Sequence, residues 1–321
     1  MTRLPSLGKV VVLLLLAPLS ALCADTSAGF AALQQGRVDD AEKILHSAIT
    51  ADPRAPRAHQ LLCRVYYAQD LSSEAVRACE MAVSLAPNDS VSLDWLGRAY
   101  GLKAGHVNPL SGFALAKKVR ATFERAVQAD PNNMDAATDL GQFYVDAPSI
   151  AGGDIDRARQ LAANMASRWP ARSHRLLAYI AKKNHDDQTA EAEFKAAVSA
   201  GHTPEAYTDL ALFYQTHNQP DQALSAIRDA IRADKNHGPA LVDAASILID
   251  AKRAPDLAER ALRDYLVSPA KSDDAPAFRV HLKLGKLLAA HGDQAGAQRE
   301  YAAALALAPN YAPAREAAKG A

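Results

Sequence analysis

Small and large apolar residues recur along this chain in steps of four and three, and most of these steps are closed by a proline. The pattern first reads Ala41-Leu45-Ala48-Pro53 and returns as Ala75-Cys79-Ala82-Pro87. It continues as Val119-Phe123-Ala126-Pro131, Ala158-Ala162-Met165-Pro170 and Ala190-Phe194-Ala197, where Pro204 is displaced. Ala223-Ile227-Ala230 follows with Lys235 in place of proline, then the compressed Ala258-Leu262-Tyr265-Pro269, then Ala297-Tyr301-Ala304-Pro309. Steps of four and three place residues on one face of an α-helix. The proline stops each helix, because it has no N–H to donate and clashes with the preceding turn.

A second helical signature precedes each of these: a large apolar residue, a small one, then an aromatic or leucine three on. Leu62-Cys63-Tyr66, Leu96-Gly97-Tyr100, Leu140-Gly141-Tyr144, Leu210-Ala211-Tyr214 and Leu284-Gly285-Leu288 carry it. Glycine inside a helix costs about 1 kcal/mol against alanine, so its return at one register implies close packing by the partner helix. Short polar turns join the two helices, among them Gln35-Gly36-Arg37, Gln69-Asp70-Leu71-Ser72, Asn218-Gln219-Pro220-Asp221 and His291-Gly292-Asp293. Several end in Asp or Ser, which cap helices. The predicted fold is therefore all-α, built of about eight helix-turn-helix units beginning near Ala28, with a short capping helix near 310–321.

A two-helix unit of about 34 residues with these positions resembles the tetratricopeptide repeat; Pro53 and Pro87 are 34 apart. The resemblance covers nearly all of residues 25–321 and implies a right-handed superhelical α-solenoid, whose neighbours stack because no unit buries its apolar face alone. It further implies that the first helices line a concave groove that holds a peptide or protein partner. The groove positions are Arg57, Gln60, Arg64 and Tyr67 in unit two, and Asp94 and Arg98 in unit three. Thr138, Gln142 and Asp146 follow in unit four, Arg172, Arg175, Tyr179 and Lys182 in unit five, and Glu205, Asp209 and Gln215 in unit six. Some family members grip the carboxylate tail of chaperones with a fixed Lys and Asn set. Gln60, Arg64 and Asp139 stand at matching positions here, so that set is not reproduced.

Composition and charge narrow the partners. The chain is 49% hydrophobic and only 6% aromatic, with alanine throughout, which suits close-packed helices. There are 36 basic and 36 acidic residues, and this balance gives no basic surplus for nucleic acid or an anionic membrane. Arg3, Lys9, the apolar run Val10–Leu16 and the small-residue end Ala21-Leu22-Cys23-Ala24 form the layout of a secretory leader over residues 1–24. Cleavage near Ala24 leaves a mature chain without a membrane span, and a periplasmic or secreted location is expected. Lipid attachment at Cys23 is the weaker alternative, because Leu22 stands where a small residue normally precedes such a cysteine.

Departures from the repeat mark further candidates. Gly101 to Ala114 stretches unit three and contains Leu102, Val107, Leu110 and Phe113. It reads as an insertion loop, either packed on its own unit or serving as a docking element. Ala147 to Ile155 contains Gly152-Gly153 but lacks the Lys and Ser/Thr of a phosphate loop. Ser268 to Pro276 is long and polar and reads as a mobile joint. Cys63 and Cys79 occupy core positions of unit two, either bonded to one another or as buried thiols. No spaced histidine ligand set, Gly-x-Ser-x-Gly elbow or zinc cysteine pair occurs. No enzyme activity, cofactor or metal is expected. The expected function is a protein-binding adaptor, with a structural spacer of an envelope assembly for polymer export, outer-membrane assembly or peptidoglycan remodelling as the alternative.

Overall fold

The computed structural model describes residues 19–320, with side chains from 26 onward. The expected leader residues 1–18 and the Cys23 side chain lie outside what is described, while the expected cleavage point at Ala24 falls within the helix that begins at Leu19. Among the described residues the chain forms seventeen α-helices and no strand. They run as α1 (Leu19–Gln34) and α2 (Val38–Ala51), α3 (Pro56–Ala68) and α4 (Ser72–Leu85), α5 (Ser90–Ala104) and α6 (Pro109–Ala129). Next come α7 (Met134–Asp146) and α8 (Ile155–Met165), α9 (Pro170–Lys183) and α10 (Asp187–Gly201), α11 (Pro204–Thr216) and α12 (Pro220–Ala233). The array ends with α13 (Ala240–Asp250) and α14 (Pro255–Val267), α15 (Ala277–Ala290) and α16 (Gln294–Leu307), and the single helix α17 (Ala312–Gly320).

The sequence pattern becomes packing through a repeated fit of small against large. A Cβ on Gly97 of α5 would lie 2.4 Å from the Phe123 ring of α6. One on Gly285 of α15 would meet the Tyr301 ring of α16 at the same distance. Only a residue without a side chain leaves room for those rings, which offsets the helix propensity that glycine gives up. In units two, three, four and six, tyrosines of the first helices then tie the unit to the one before. Tyr66 donates to Glu42, Tyr100 to Glu80, Tyr144 to Glu124 and Tyr214 to Glu191, at 2.7–3.1 Å.

Six of the eight turns within pairs share one backbone device. Gly36, Asp70, His185, Asn218, Lys252 and Gly292 all adopt positive φ, between 52° and 88°. Four of the six are not glycine, and each carries a strain of about 1 kcal/mol. Asp293 caps α16 by accepting from Gly296 N, as its turn leads one to expect. Ser72 and Asp221 do not cap; they lie inside the first turns of α4 and α12.

The stretch Gly101–Ala114 is not a loop. α5 and α6 both continue through it, leaving a tight turn that Asn108 caps by accepting from Ser111 N. Pro109 at the first helical position suits a helix start. The hairpin projects from the array with Leu110 82% exposed and Phe113 exposed, while Leu102 and Val107 are half-buried. At 147–155 a 3-10 turn (Ser149–Ala151) leads to Gly152 in the left-handed region, an ordinary inter-helix turn.

Unit two holds a covalent link: Cys63 of α3 and Cys79 of α4 form a disulfide, with Cα atoms 5.2 Å apart. Both residues are fully buried.

Candidate functional site

Curvature decides which side chains share a surface. First helices of successive units touch one another along the array (α1 with α3, α3 with α5, α5 with α7, α7 with α9, α9 with α11, α11 with α13), whereas second helices of successive units make no comparable contact. The array therefore bends with its first helices inside, and their polar faces converge on one concave surface.

The bend brings the two ends of the array together. Arg279 of α15 donates to the Ala68 carbonyl at 2.8 Å and pairs with Asp70 at 2.7 Å. A Cβ on Gly36 would lie 3.0 Å from Ala277 N. The segment 268–276 reaches into the concave face, where Arg64 donates through Nε and Nη2 to both Asp273 carboxylate oxygens at 2.7 Å. This pair is nearly dry, with side chains 13% and 3% exposed. The Arg64 guanidinium also lies over the rings of Phe30 and Trp95, with its carbon 4.9 and 4.6 Å from their centroids. Cation–π attraction of this kind grows with desolvation.

The 268–276 segment is thus not the mobile joint that its polarity suggests. Tyr265 donates to the Ala275 carbonyl at 2.6 Å and accepts from Ser272 N, while Ser268 Oγ donates to the Asn236 carbonyl. Its polar groups are satisfied inside the fold, which is what fixes it.

Charge pairs continue along the first helices. Arg98 bonds Asp139 of the next unit at 2.5 Å and Asp94 at 3.2 Å, lies over Trp95, and has Asp274 at 3.8 Å. Tyr67 meets Trp95 edge-on at 5.4 Å. Arg175 bonds Asp209 at 2.6 Å, and Tyr179 donates to the other oxygen of the same carboxylate at 2.9 Å. Burial raises the Tyr67 and Tyr179 phenols above their ordinary range. Arg57 donates to Gln60, and burial together with the Arg64 charge lowers its pKa. Thr138 Oγ1 bonds the Met134 carbonyl within its own helix, and Gln142 donates to Asp146. Arg172 makes no ion pair among the described residues; with Met134, Trp169 and Glu205 it borders a cavity of about 290 Å³.

Of the groove arginines of units two and three, Arg64 and Arg98 are therefore neutralised by the chain's own carboxylates, whereas Arg57 is bonded to Gln60. Sequence reading found Arg64, Tyr67 and Arg98 but missed Phe30, Trp95, Asp273 and Asp274, which complete their cluster. Trp95, one of two tryptophans, adjoins the Leu96-Gly97 signature and was the available signal.

Asp94 is 3% exposed and one of its oxygens lacks a hydrogen-bond partner. Burial pushes its pKa up to about 7, against the pull of Arg98. Between the unfolded carboxyl range near 4 and about 7, the folded chain keeps this proton and the unfolded chain releases it. The group's contribution to stability accordingly falls as pH rises through that window. The Asp94→Asn variant is expected to show a flatter stability profile from about pH 4 to pH 7, read by urea denaturation at successive pH values. Profiles of identical slope would show that Asp94 is not held protonated.

Among the described residues no helix is long and apolar enough to cross a membrane, and no group of three or more His, Cys, Asp or Glu residues is placed to hold a metal ion.

Comparison with known proteins agrees with the architecture. Two models of the tetratricopeptide repeat match the chain, at residues 32–92 and 204–237. No curated protein matches it by sequence. Similar solved structures include a thermophilic TPR protein of Thermus thermophilus, at 18% identity and a TM-score of 0.47, covering 71% of this chain and 99% of that one. A tetratricopeptide repeat protein of Parabacteroides merdae is 14% identical with a TM-score of 0.47, over 93% and 98% of the two chains. The type IV pilus biogenesis factor PilW is 15% identical with a TM-score of 0.49, over 65% and 91%. Helix pairs are stacked from α1 to α16, and two stretches of the chain match the tetratricopeptide repeat itself.

Proposed function

We propose that this protein is an exported, non-catalytic adaptor that binds a protein or peptide on its concave face. Tetratricopeptide arrays are protein-interaction scaffolds in general; the finer reading rests on one observation. Charged and aromatic side chains of consecutive first helices are bonded from one unit to the next, as in Arg98–Asp139 and Arg175–Asp209–Tyr179. A surface ordered in this way loses little entropy on binding. The export part rests on the leader pattern of residues 1–24 and on the Cys63–Cys79 disulfide, a bond that persists in oxidising compartments.

A photo-crosslinking residue at Gln142 or Arg172, on the inner helices, should capture partners in cells. The same residue at Arg228 or Lys195, on second helices, should not. The alternative, a rigid spacer in an envelope assembly, is favoured by the Arg64–Asp273 and Arg279–Asp70 links, which stiffen the coil. That reading expects crosslinks from the second helices and silence from the groove, and such a result would overturn the adaptor. Mass measurement of the N-terminus in the envelope fraction tests export: an unprocessed chain recovered only in the cytosol rejects it.

A further inference from the structure

The α5–α6 hairpin carries two features that the groove does not use. The first is its reach. α6 has 21 residues where α4 has 14, and both helices end two residues before a proline, Pro131 and Pro87. The added length therefore lies at the start of α6 and extends it by about 10 Å at 1.5 Å per residue. The second feature is what this extension displays. Leu110, Phe113, Ala114 and Lys117 lie at i, i+3, i+4 and i+7, on one side of the helix, and all four are exposed. A leucine and a phenylalanine held in water at a projecting tip each stand to gain from burial elsewhere.

The charge around this tip has one sign. No Asp or Glu occurs from Trp95 to Phe123. Arg98 and Arg120 of that stretch face the carboxylates of Asp139 and Glu124. Lys103 and Lys117 have no carboxylate within 4.0 Å among the described residues, and neither has Lys118, which lies over the Tyr100 ring. The balance of 36 basic and 36 acidic residues thus conceals a local positive excess beside exposed apolar side chains.

The order of these groups along the hairpin selects the occupant. The apolar side chains come first, and Lys117 follows two turns behind Leu110, about 10 Å along the axis. An anionic bilayer offers matching layers: phosphate head groups outermost, and an acyl boundary that amphipathic helices enter to a depth of about 5–10 Å. Leu110 and Phe113 reach that boundary while Lys117 remains among the phosphates, and Lys103 extends its ammonium to them along its own stem. Nucleic acid would satisfy the lysines and leave Leu110 and Phe113 in water. A soluble protein would have to supply an apolar pocket set inside an acidic rim, a requirement that a bilayer meets everywhere on its surface.

We infer that the α5–α6 hairpin docks the protein on an anionic lipid surface, with Leu110 and Phe113 entering at the head-group boundary. This docking is peripheral and reversible, spans nothing, and is independent of the groove reading.

The test uses the full chain carrying Phe113→Trp, with vesicles of phosphatidylcholine containing about one-third phosphatidylglycerol, or of phosphatidylcholine alone. Indole emission, with the wild-type signal of Trp95 and Trp169 subtracted, should shift to the blue on the mixed vesicles and stay unshifted on phosphatidylcholine. Partitioning read from that shift should weaken about tenfold or more when Lys103→Gln/Lys117→Gln is added, at about fivefold per lysine. Adding Leu110→Asp should also weaken it about tenfold or more, and raising NaCl from about 50 to about 500 mM should release the protein. Leu110 and Lys117 are exposed and Lys103 is partly so, and neither lysine is in an ion pair, so these variants should keep the wild-type unfolding midpoint. Residues 1–24 are the same in every chain, so the differences report the hairpin. No blue shift on the mixed vesicles overturns the inference, as does an equal shift on phosphatidylcholine alone or an unchanged shift in the lysine variant. A shift produced by a protein of the envelope extract and by no vesicle also overturns it, and makes the hairpin a protein-docking element instead.

Discussion

Replacing Asp273 by alanine should destabilise the protein by about 3–5 kcal/mol, the range for removing one partner of a buried ion pair. The cost comes from what remains. Arg64 is 13% exposed and lies over Phe30 and Trp95, so its charge would lose two hydrogen bonds without gaining full hydration. An exposed pair sets the scale: Arg37–Asp40 has side chains 45% and 50% exposed, and Asp40→Ala should cost under about 1 kcal/mol. Urea denaturation of the two variants compares the two cases. Because Asp273 also links the ends of the array, its loss should open the coil, and small-angle scattering should report a larger radius of gyration. The double variant Arg64→Met/Asp273→Leu should recover much of the stability, since apolar side chains of similar volume carry no stranded charge. A loss below about 1 kcal/mol with unchanged scattering would mean that the pair does not hold the coil in solution.

That closure marks the limit of what was legible in the sequence. Local rules were enough for the helix pairs. Ala41, Leu45 and Ala48 share one face because steps of four and three do so in any α-helix, and Gly97 forecast the close approach of Phe123 through its propensity penalty alone. The groove residues followed from position within the unit, so Arg64, Arg98, Arg175 and Tyr179 were found. Their partners obey a different rule. Arg98 and Arg175 pair with the next unit's first helix, 41 and 34 residues on, a distance that the repeat itself predicts. Arg64 pairs with a residue 209 positions away, which depends on how far the coil turns over many units. Small rotations per unit add up to that value, and no local pattern encodes their sum. The same gap explains the misread 268–276 segment, whose polar composition suits solvent and a buried arginine equally well. Gly101–Ala114 failed for a local reason: it reads as an inserted loop because it stretches unit three, but the added length extends α5 and α6 and only residues 105–108 form the turn.

The disulfide offers the second large effect and separates two contributions that usually come together. Cys63 and Cys79 are 16 residues apart in sequence and both fully buried. Reduction should cost about 3 kcal/mol, the loop-entropy value for a link of this length. Reduced thiols remain small apolar side chains in the same core, so reduction opens no cavity. The Cys63→Ala/Cys79→Ala variant removes the link and also trims the packing, and it should be less stable than the reduced wild type by the transfer and cavity terms of two sulfur atoms. The ranking oxidised, reduced, double alanine therefore assigns the first gap to the unfolded chain and the second to the folded core. Repeat arrays unfold unit by unit when coupling weakens, so hydrogen exchange is the better readout than one melting midpoint. Protection should fall first in α3 and α4, and then in the 268–276 segment, because Arg64 follows Cys63 directly on α3. Thiol titration of the unfolded, unreduced chain should find neither Cys63 nor Cys79 reactive; two reactive thiols at these positions would remove the bond and its effect on the closure together. If exchange rises in α3 and α4 but not at 268–276, the Arg64–Asp273 pair is held by the coil as a whole and does not depend on the cross-link beside it.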